Sequence, residues 1–300
     1  MNGFLYGAAL QWKLDIRSKS LLVTCYIVPL IFFLLMGGIF TSVMPEMRST
    51  LIQSMLVMSV SMGAFIGLPP SLIETYGSDV KKVYKANGVP LYLGLAIMLL
   101  SAFVHLMISC VIILLLAPIL FGAAFPVQLP FFFLALAIYL MVSLSIGSIL
   151  GLIVKNQAKL TMIAQLVFLP SIMLSGIMFP VDLLPDCLEA IGRIFPAFWG
   201  YRLMLDNGFR LENLWYLMLV FCAAVIICTI IIPNINESTA YAMQKIPFGG
   251  NSLNRTEWIY CPLKTRDRFH EDTALKSYPR EYSKLHRTLY PRKGSLFLSA

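Results

Sequence analysis

In a chain that is 58% hydrophobic and 13% charged, few residues inside the apolar runs could do acid–base chemistry. Ser101, His105 and Ser109 recur at steps of four, which aligns them on one face of a helix. A histidine between two hydroxyls could move a proton or activate a nucleophile. It could equally line a polar path, or be hydrogen-bonded to a neighbouring helix and to backbone carbonyls. Gln165, one turn after Thr161, presents the same choice. No carboxylate joins His105 in its run, so a membrane-embedded enzyme built on His105 with Ser101 or Ser109 ranks last among the readings.

Other chemistry is missing from the sequence. There is no GxxxxGK[ST], HExxH, GxSxG or dinucleotide-binding fingerprint, so nucleotide hydrolysis is not encoded and no catalytic residue is expected in this chain. Cys25, Cys110, Cys222 and Cys228 lie in apolar runs and Cys187 and Cys261 are isolated. Without a CxxC or a paired spacing, neither a zinc site nor a disulfide framework is expected, and no cofactor is called for.

These side chains must be positioned by membrane helices. The 300 residues have a mean hydropathy of +0.79, and uninterrupted apolar runs cover Leu21 to Phe40, Leu51 to Ile73, Leu91 to Leu116, Pro130 to Val154, Leu160 to Phe179 and Leu214 to Ile232. None contains Asp, Glu, Lys or Arg, so each can enter the bilayer as a helix of about 20 residues. The fold class expected is therefore all-α: a polytopic membrane protein of six spans occupying residues 21–233. Such a chain has no room for a large catalytic domain. The first run is span-length and Met36 to Phe40 offers no small-x-small cleavage site, so a signal peptide is not expected. The net charge of +8 is spread between the runs, which fits the cytoplasmic face of a membrane protein and not a nucleic-acid partner.

Lys13, Arg17 and Lys19 before the first run, Lys81, Lys82 and Lys85 after the second, and Lys155 and Lys159 after the fourth place both termini in the cytoplasm by the positive-inside bias. In residues 1–20, Phe4, Leu5, Ala8, Ala9, Trp12 and Ile16 recur at helical spacing, as expected of a helix lying in the interface with Trp12 at headgroup level. After the fifth run, Asp182, Asp186, Glu189 and Arg193 share one helical face and Leu184, Leu188, Ile191 and Phe195 another, which reads as an outer amphipathic helix dipping back into the membrane. Residues 234–300 turn polar, basic and Tyr-rich and read as a cytoplasmic tail, either simply solvated or touching anionic lipid through Lys264, Arg266, Arg268, Arg292 and Lys293.

Within the runs, Gly63 and Gly67 form one GxxxG pair, and Gly147 and Gly151 another that Tyr139 and Ser143 extend at i+4 steps; both read as packing seams. Pro29, Pro69, Pro70 and Pro170 are expected to kink or end helices and to free carbonyls. A proton- or sodium-coupled carrier would ordinarily hold a carboxylate near the midplane, and none is present in these runs. If a solute moves, its energy is expected to arrive through a cytoplasmic surface. The connection from Glu74 through Pro90 suits that role: Ser78 or Asp79 caps a short helix that Asn87-Gly88 and Pro90 end, leaving a charged stub, although an ordinary polar turn fits the same residues.

The stretch from Phe168 to Met204 resembles the fifth-span hallmark of type-2 ABC transporter permeases: Leu174-Ser175-Gly176, then Phe179-Pro180, Leu184-Pro185, and Pro196 before an aromatic stretch and Arg202. The similarity extends over roughly the first 232 residues in span number, interfacial first helix and the Gly88-Val89-Pro90-Leu91 entry to the third span. The resemblance implies the membrane subunit of an ATP-driven exporter in a bacterial plasma (inner) membrane, partnered by an ABC ATP-binding subunit and a second permease subunit, like or unlike. It assigns docking on the ATPase to Glu74, Tyr76, Gly77, Asp79, Lys81, Lys82, Lys85 and Gly88. The tail departs from the family pattern. An apolar path favours hydrophobic or amphipathic cargo. A self-sufficient channel or secondary carrier is the alternative that residues alone leave open.

Overall fold

The computed structural model describes residues 3–77, 90–179, 185–205 and 211–244. The described residues are mostly helical: α1 (Gly3–Arg17), α2 (Lys19–Leu22), α3 (Val28–Val43), α4 (Leu51–Met62), α5 (Leu68–Gly77), α6 (Leu91–Phe121), α7 (Leu129–Ile153), α8 (Gln157–Met173), α9 (Asp186–Gly192), α10 (Pro196–Leu205) and α11 (Leu211–Gln244). Five stretches are long and apolar enough to cross a bilayer: Val23–Val43, Pro45–Tyr76, Leu91–Phe121, Leu129–Ile153 and Glu212–Pro233. The fifth run of the sequence becomes α8, whose 17 residues extend roughly 26 Å, just short of the ~30 Å hydrocarbon core.

Prolines set the local geometry of two of these stretches. A proline inside a helix lacks its N–H and crowds the carbonyl four residues back. Instead of breaking, the chain widens into π turns one turn earlier: Val23–Ile27 ahead of Pro29, and Gly63–Gly67 ahead of Pro69 and Pro70. In the first, the Val28 N–H reaches back to the Val23 carbonyl, and in the second Leu68 reaches Gly63. Pro170 lies inside α8, three residues before its end.

The stretch Pro45–Tyr76 is the axis of the bundle. It is the least apolar of the five, yet 94% of its apolar window is buried, against 17% for Glu212–Pro233. Every residue of α4 is buried, Gln53, Ser54, Ser59 and Ser61 included. In lipid, apolar surface gains nothing by leaving the solvent, so the span bearing polar side chains goes inside. The glycine pairs make the close approaches. A Cβ on Gly147 would overlap the Ala64 carbonyl oxygen, and one on Gly151 would lie 2.8 Å from Leu72 Cβ, so α7 meets the π turn and α5 backbone to backbone.

Two boundaries differ from the hydropathy reading. The last helix passes through Pro233 and continues to Gln244, because one lost hydrogen bond does not outweigh the good helix formers around Ala240 to Gln244. The amphipathic segment after the fifth run is two short helices, α9 and α10, separated at Arg193 to Phe195, where Pro196 starts the second. Asp182 and Leu184 of that pattern, and residues 245–300 of the tail, lie outside the described residues.

Candidate functional site

The connection between the second and third spans begins where α5 ends. Glu74 is exposed, whereas Tyr76 is buried and its hydroxyl donates to the Leu91 carbonyl at 2.7 Å. Pro90, with φ −62° and ψ 133°, is the extended residue that opens α6. Tyr76 therefore ties the two ends of the connection together at its base, next to Gly77. Asp79, Lys81, Lys82, Lys85 and Gly88 lie outside the described residues.

The polar stripe of α6 is not an open lining. Ser101, His105 and Ser109 are all buried, and each faces a different partner. Ser101 Oγ donates to Asp15 Oδ2 at 2.5 Å, His105 Nδ1 and the Tyr26 hydroxyl lie 2.7 Å apart, and Ser109 Oγ is 3.5 Å from Ser59 Oγ. The Trp12 ring stacks on the His105 ring with centroids 4.2 Å apart and 10° between planes, while Tyr26 meets it edge-on at 5.9 Å. This stripe is the seam that fastens α1 and the first span to α6. Gln165 does not join it; it is exposed on α8 beside Met162 and Leu166.

Sequence reading missed Asp15. On α1 the residues turned toward the protein are Gly7, Ala8, Gln11, Trp12 and Asp15, whereas Ala9, Leu10 and Ile16 are exposed. Asp15 is buried, with Gln11 Nε2 donating to its Oδ1 at 2.8 Å, and a Cβ on Gly7 would lie 2.9 Å from Ile97 Cδ1. Trp12, expected as a headgroup anchor, is a packing group of the seam. The available signal was the i+4 series Gly7, Gln11, Asp15, small and polar residues matched to the stripe of α6.

The segment from Leu174 to Arg202 forms a second connected unit. Gly176 has φ +79°, a left-handed turn that a side chain would strain, and it closes α8 beside the buried Ser175. Pro185 and Pro196 each begin a short helix, α9 and α10, while Pro180 lies outside the described residues. Gly192 packs against the Leu174 carbonyl, and Gly200 against the Tyr139 ring, whose hydroxyl is 2.6 Å from Ser61 Oγ. Glu189 pairs with Arg193 at 2.8 Å and with Arg202 at 3.9 Å, and the Arg202 guanidinium sits 4.4 Å over the Phe198 ring. Trp199 Nε1 donates to the Arg193 carbonyl at 2.7 Å and its ring stacks on Tyr216, whose hydroxyl donates to the Ile194 carbonyl. These residues fold the segment between spans back onto α7 and α11. Their spacing encodes turns and packing. Among the described residues, no group of three or more His, Cys, Asp or Glu is placed to hold a metal.

The family model for the ABC-2 type transporter matches residues 4–209, which covers α1, the spans through α8, and the whole turn-and-pack unit up to α10. The chain belongs to the ABC-2 type transporter family. It is accordingly a multi-pass membrane permease of the ABC class, as the hallmark residues imply. A protein of Escherichia coli strain K12 named "Probable multidrug ABC transporter permease YbhS" is 30% identical over 92 residues, which is 30% of this chain and 24% of that relative; the same-named protein of Escherichia coli O157:H7 matches equally. The aligned part is thus about a quarter of the length of these relatives.

Proposed function

We propose that this chain is the membrane-spanning subunit of an ATP-driven exporter, in which two six-helix halves, like or unlike, form the path and separate ABC ATP-binding subunits supply the work. The observation that carries this reading is the family match over residues 4–209 in a chain whose sequence holds no nucleotide-hydrolysis motif. The tie between Tyr76 and Leu91 supports it further, because a charged connection held at its base can pass a push into two spans at once. In this reading residues 74–90 dock on the ATPase, with Glu74, Tyr76, Gly77, Asp79, Lys81, Lys82, Lys85 and Gly88 forming or supporting the docking surface. Both termini are cytoplasmic, in a bacterial inner membrane, and the chain itself performs no catalysis. The cargo is hydrophobic or amphipathic, in keeping with the apolar character of the spans and with the multidrug designation of the E. coli relatives.

The test is co-expression with the ATP-binding subunit encoded beside it, co-purification, and reconstitution into liposomes. ATP-dependent movement of a lipophilic dye, lost when the ATPase is inactivated, is the expected result. Vectorial movement by the purified chain without any nucleotidase overturns the reading and favours a self-sufficient carrier.

A further inference from the structure

Gln165 is the middle residue of α8, the helix that packs on the buried axis through α4, α5 and the Gly63–Gly67 π turn. It is exposed, and it makes no hydrogen bond to any described residue. Exposed hydroxyls on the membrane helices do not share this condition: Ser42, Thr161 and Thr229 donate to carbonyls of their own helices, those of Gly38, Gln157 and Ile226. A glutamine amide holds two donors and one acceptor oxygen. Left unpaired in hydrocarbon it carries an uncompensated desolvation cost, so such side chains bond across to a neighbouring helix. Thr161, Gln165, Leu169 and Met173 stand at steps of four on one exposed face, flanked by the exposed Met162 and Leu166. Lipid tails can cover the apolar members of this face without loss, but they offer the amide nothing. A second helix with an amide at the same depth offers it both a donor and an acceptor.

We propose that this face of α8 is the contact between two copies of the chain, with their two Gln165 amides hydrogen-bonded to each other in the middle of the membrane. A contact across a two-fold axis must be self-complementary, and an amide is: each copy gives an N–H and takes one on its oxygen. Ridges at steps of four suit a close crossing of two identical helices. An unlike partner would need its own polar residue at this depth, whereas a second copy supplies one by symmetry. Like halves are one of the two arrangements open to the exporter proposed above, on which this assignment rests.

The test uses two differently tagged copies of the full chain, co-expressed with the neighbouring ATPase, with Cys187, Cys222 and Cys261 replaced by serine. Membranes carrying Thr161→Cys, Gln165→Cys or Leu169→Cys are oxidised, with Ile226→Cys and Ile230→Cys on the exposed face of α11 as controls. The expected result is disulfide-linked dimers bearing both tags at the α8 positions and none at the α11 positions, since a disulfide forms only where the Cα atoms come within about 7 Å. Should Gln165→Cys fail to insert, Thr161→Cys and Leu169→Cys carry the readout. Gln165→Leu, with the cysteine replacements alone, should weaken capture of one tag by the other roughly 3- to 30-fold on dilution in detergent. Absent cross-links at the α8 positions overturn the proposal, as do equal cross-links on α11 or undiminished capture in Gln165→Leu. Capture intact with ATP-driven dye movement lost in Gln165→Leu would put the amide on the path, and also overturns it. ATP-driven movement without self-cross-linking overturns the like pair and leaves the exporter standing; self-cross-linking without ATP-driven movement does the reverse.

Discussion

Replacing His105 with alanine separates a packing seam from a catalytic or path residue. The imidazole stacks on Trp12 at 4.2 Å, meets Tyr26 edge-on, and shares a 2.7 Å hydrogen bond with its hydroxyl. Aromatic pairing contributes about 0.5–1.5 kcal/mol beyond area burial, and stranding the Tyr26 hydroxyl costs about 1–3 kcal/mol. Part is returned, because His105 Nε2 has no partner in the folded state. The net loss worked from these contacts is about 2–4 kcal/mol, or a fall of about 4–16 °C in the unfolding midpoint at 2–4 °C per kcal/mol. His105→Phe keeps a ring on Trp12 and loses only the hydrogen bond to Tyr26, so it should cost less than half as much. Combining His105→Ala with Tyr26→Phe should fall short of additivity by about 1 kcal/mol, since both remove one shared bond. Thermal unfolding of the single and double variants, alongside transport with the ATPase, is the assay. Unchanged stability with abolished transport in His105→Ala would refute the seam and restore a chemical or path role.

Three further outcomes follow from the geometry. Gly147→Leu, forced against the Ala64 carbonyl, should destabilise the bundle by about 1–3 kcal/mol or prevent its assembly, read as lost monodispersity on size exclusion. Gly176→Ala, at φ +79°, should cost about 1–2 kcal/mol by thermal unfolding, whereas alanine at the half-buried Gly38 inside α3, which meets no atom within 4 Å, should be neutral or stabilise by up to about 1 kcal/mol. Tyr76→Phe removes the tie to Leu91 at a cost of about 0.5–1.5 kcal/mol; transport per ATP hydrolysed should fall while basal ATPase activity of the partner stays unchanged.

Much of this architecture was readable because lipid makes the rule simple: uncharged apolar runs become helices, and small residues mark where they touch. The runs from Leu21, Leu51, Leu91, Pro130 and Leu214 all contain long helices, and the Gly147 and Gly151 pair is a seam as its spacing implies. The Ser101, His105, Ser109 stripe was visible as a stripe, but its partners were not, because Asp15, Tyr26 and Ser59 lie between 50 and 86 residues away in sequence. Asp15 was hidden by a convention carried over from water. On α1 the apolar arc looks outward and the small, polar arc looks in, so a carboxylate on the non-apolar side carries no sign in the sequence of being buried. The role of the turn-and-pack unit was carried by family resemblance, since Glu189, Trp199 and Tyr216 come together only once the chain has reversed between α8 and α11.

The widened turns at Val23–Ile27 and Gly63–Gly67 have a bearing on how sequences of this kind should be superposed. Each accommodates one residue more than a regular turn, which rotates everything beyond it by about 100° relative to what came before. A helical wheel drawn straight through either one assigns half of its side chains to the wrong sector. Relatives lacking Pro29, or Pro69 and Pro70, have no reason to keep the extra residue, so single-position gaps should gather at these two places while the outlying halves of each helix stay in phase.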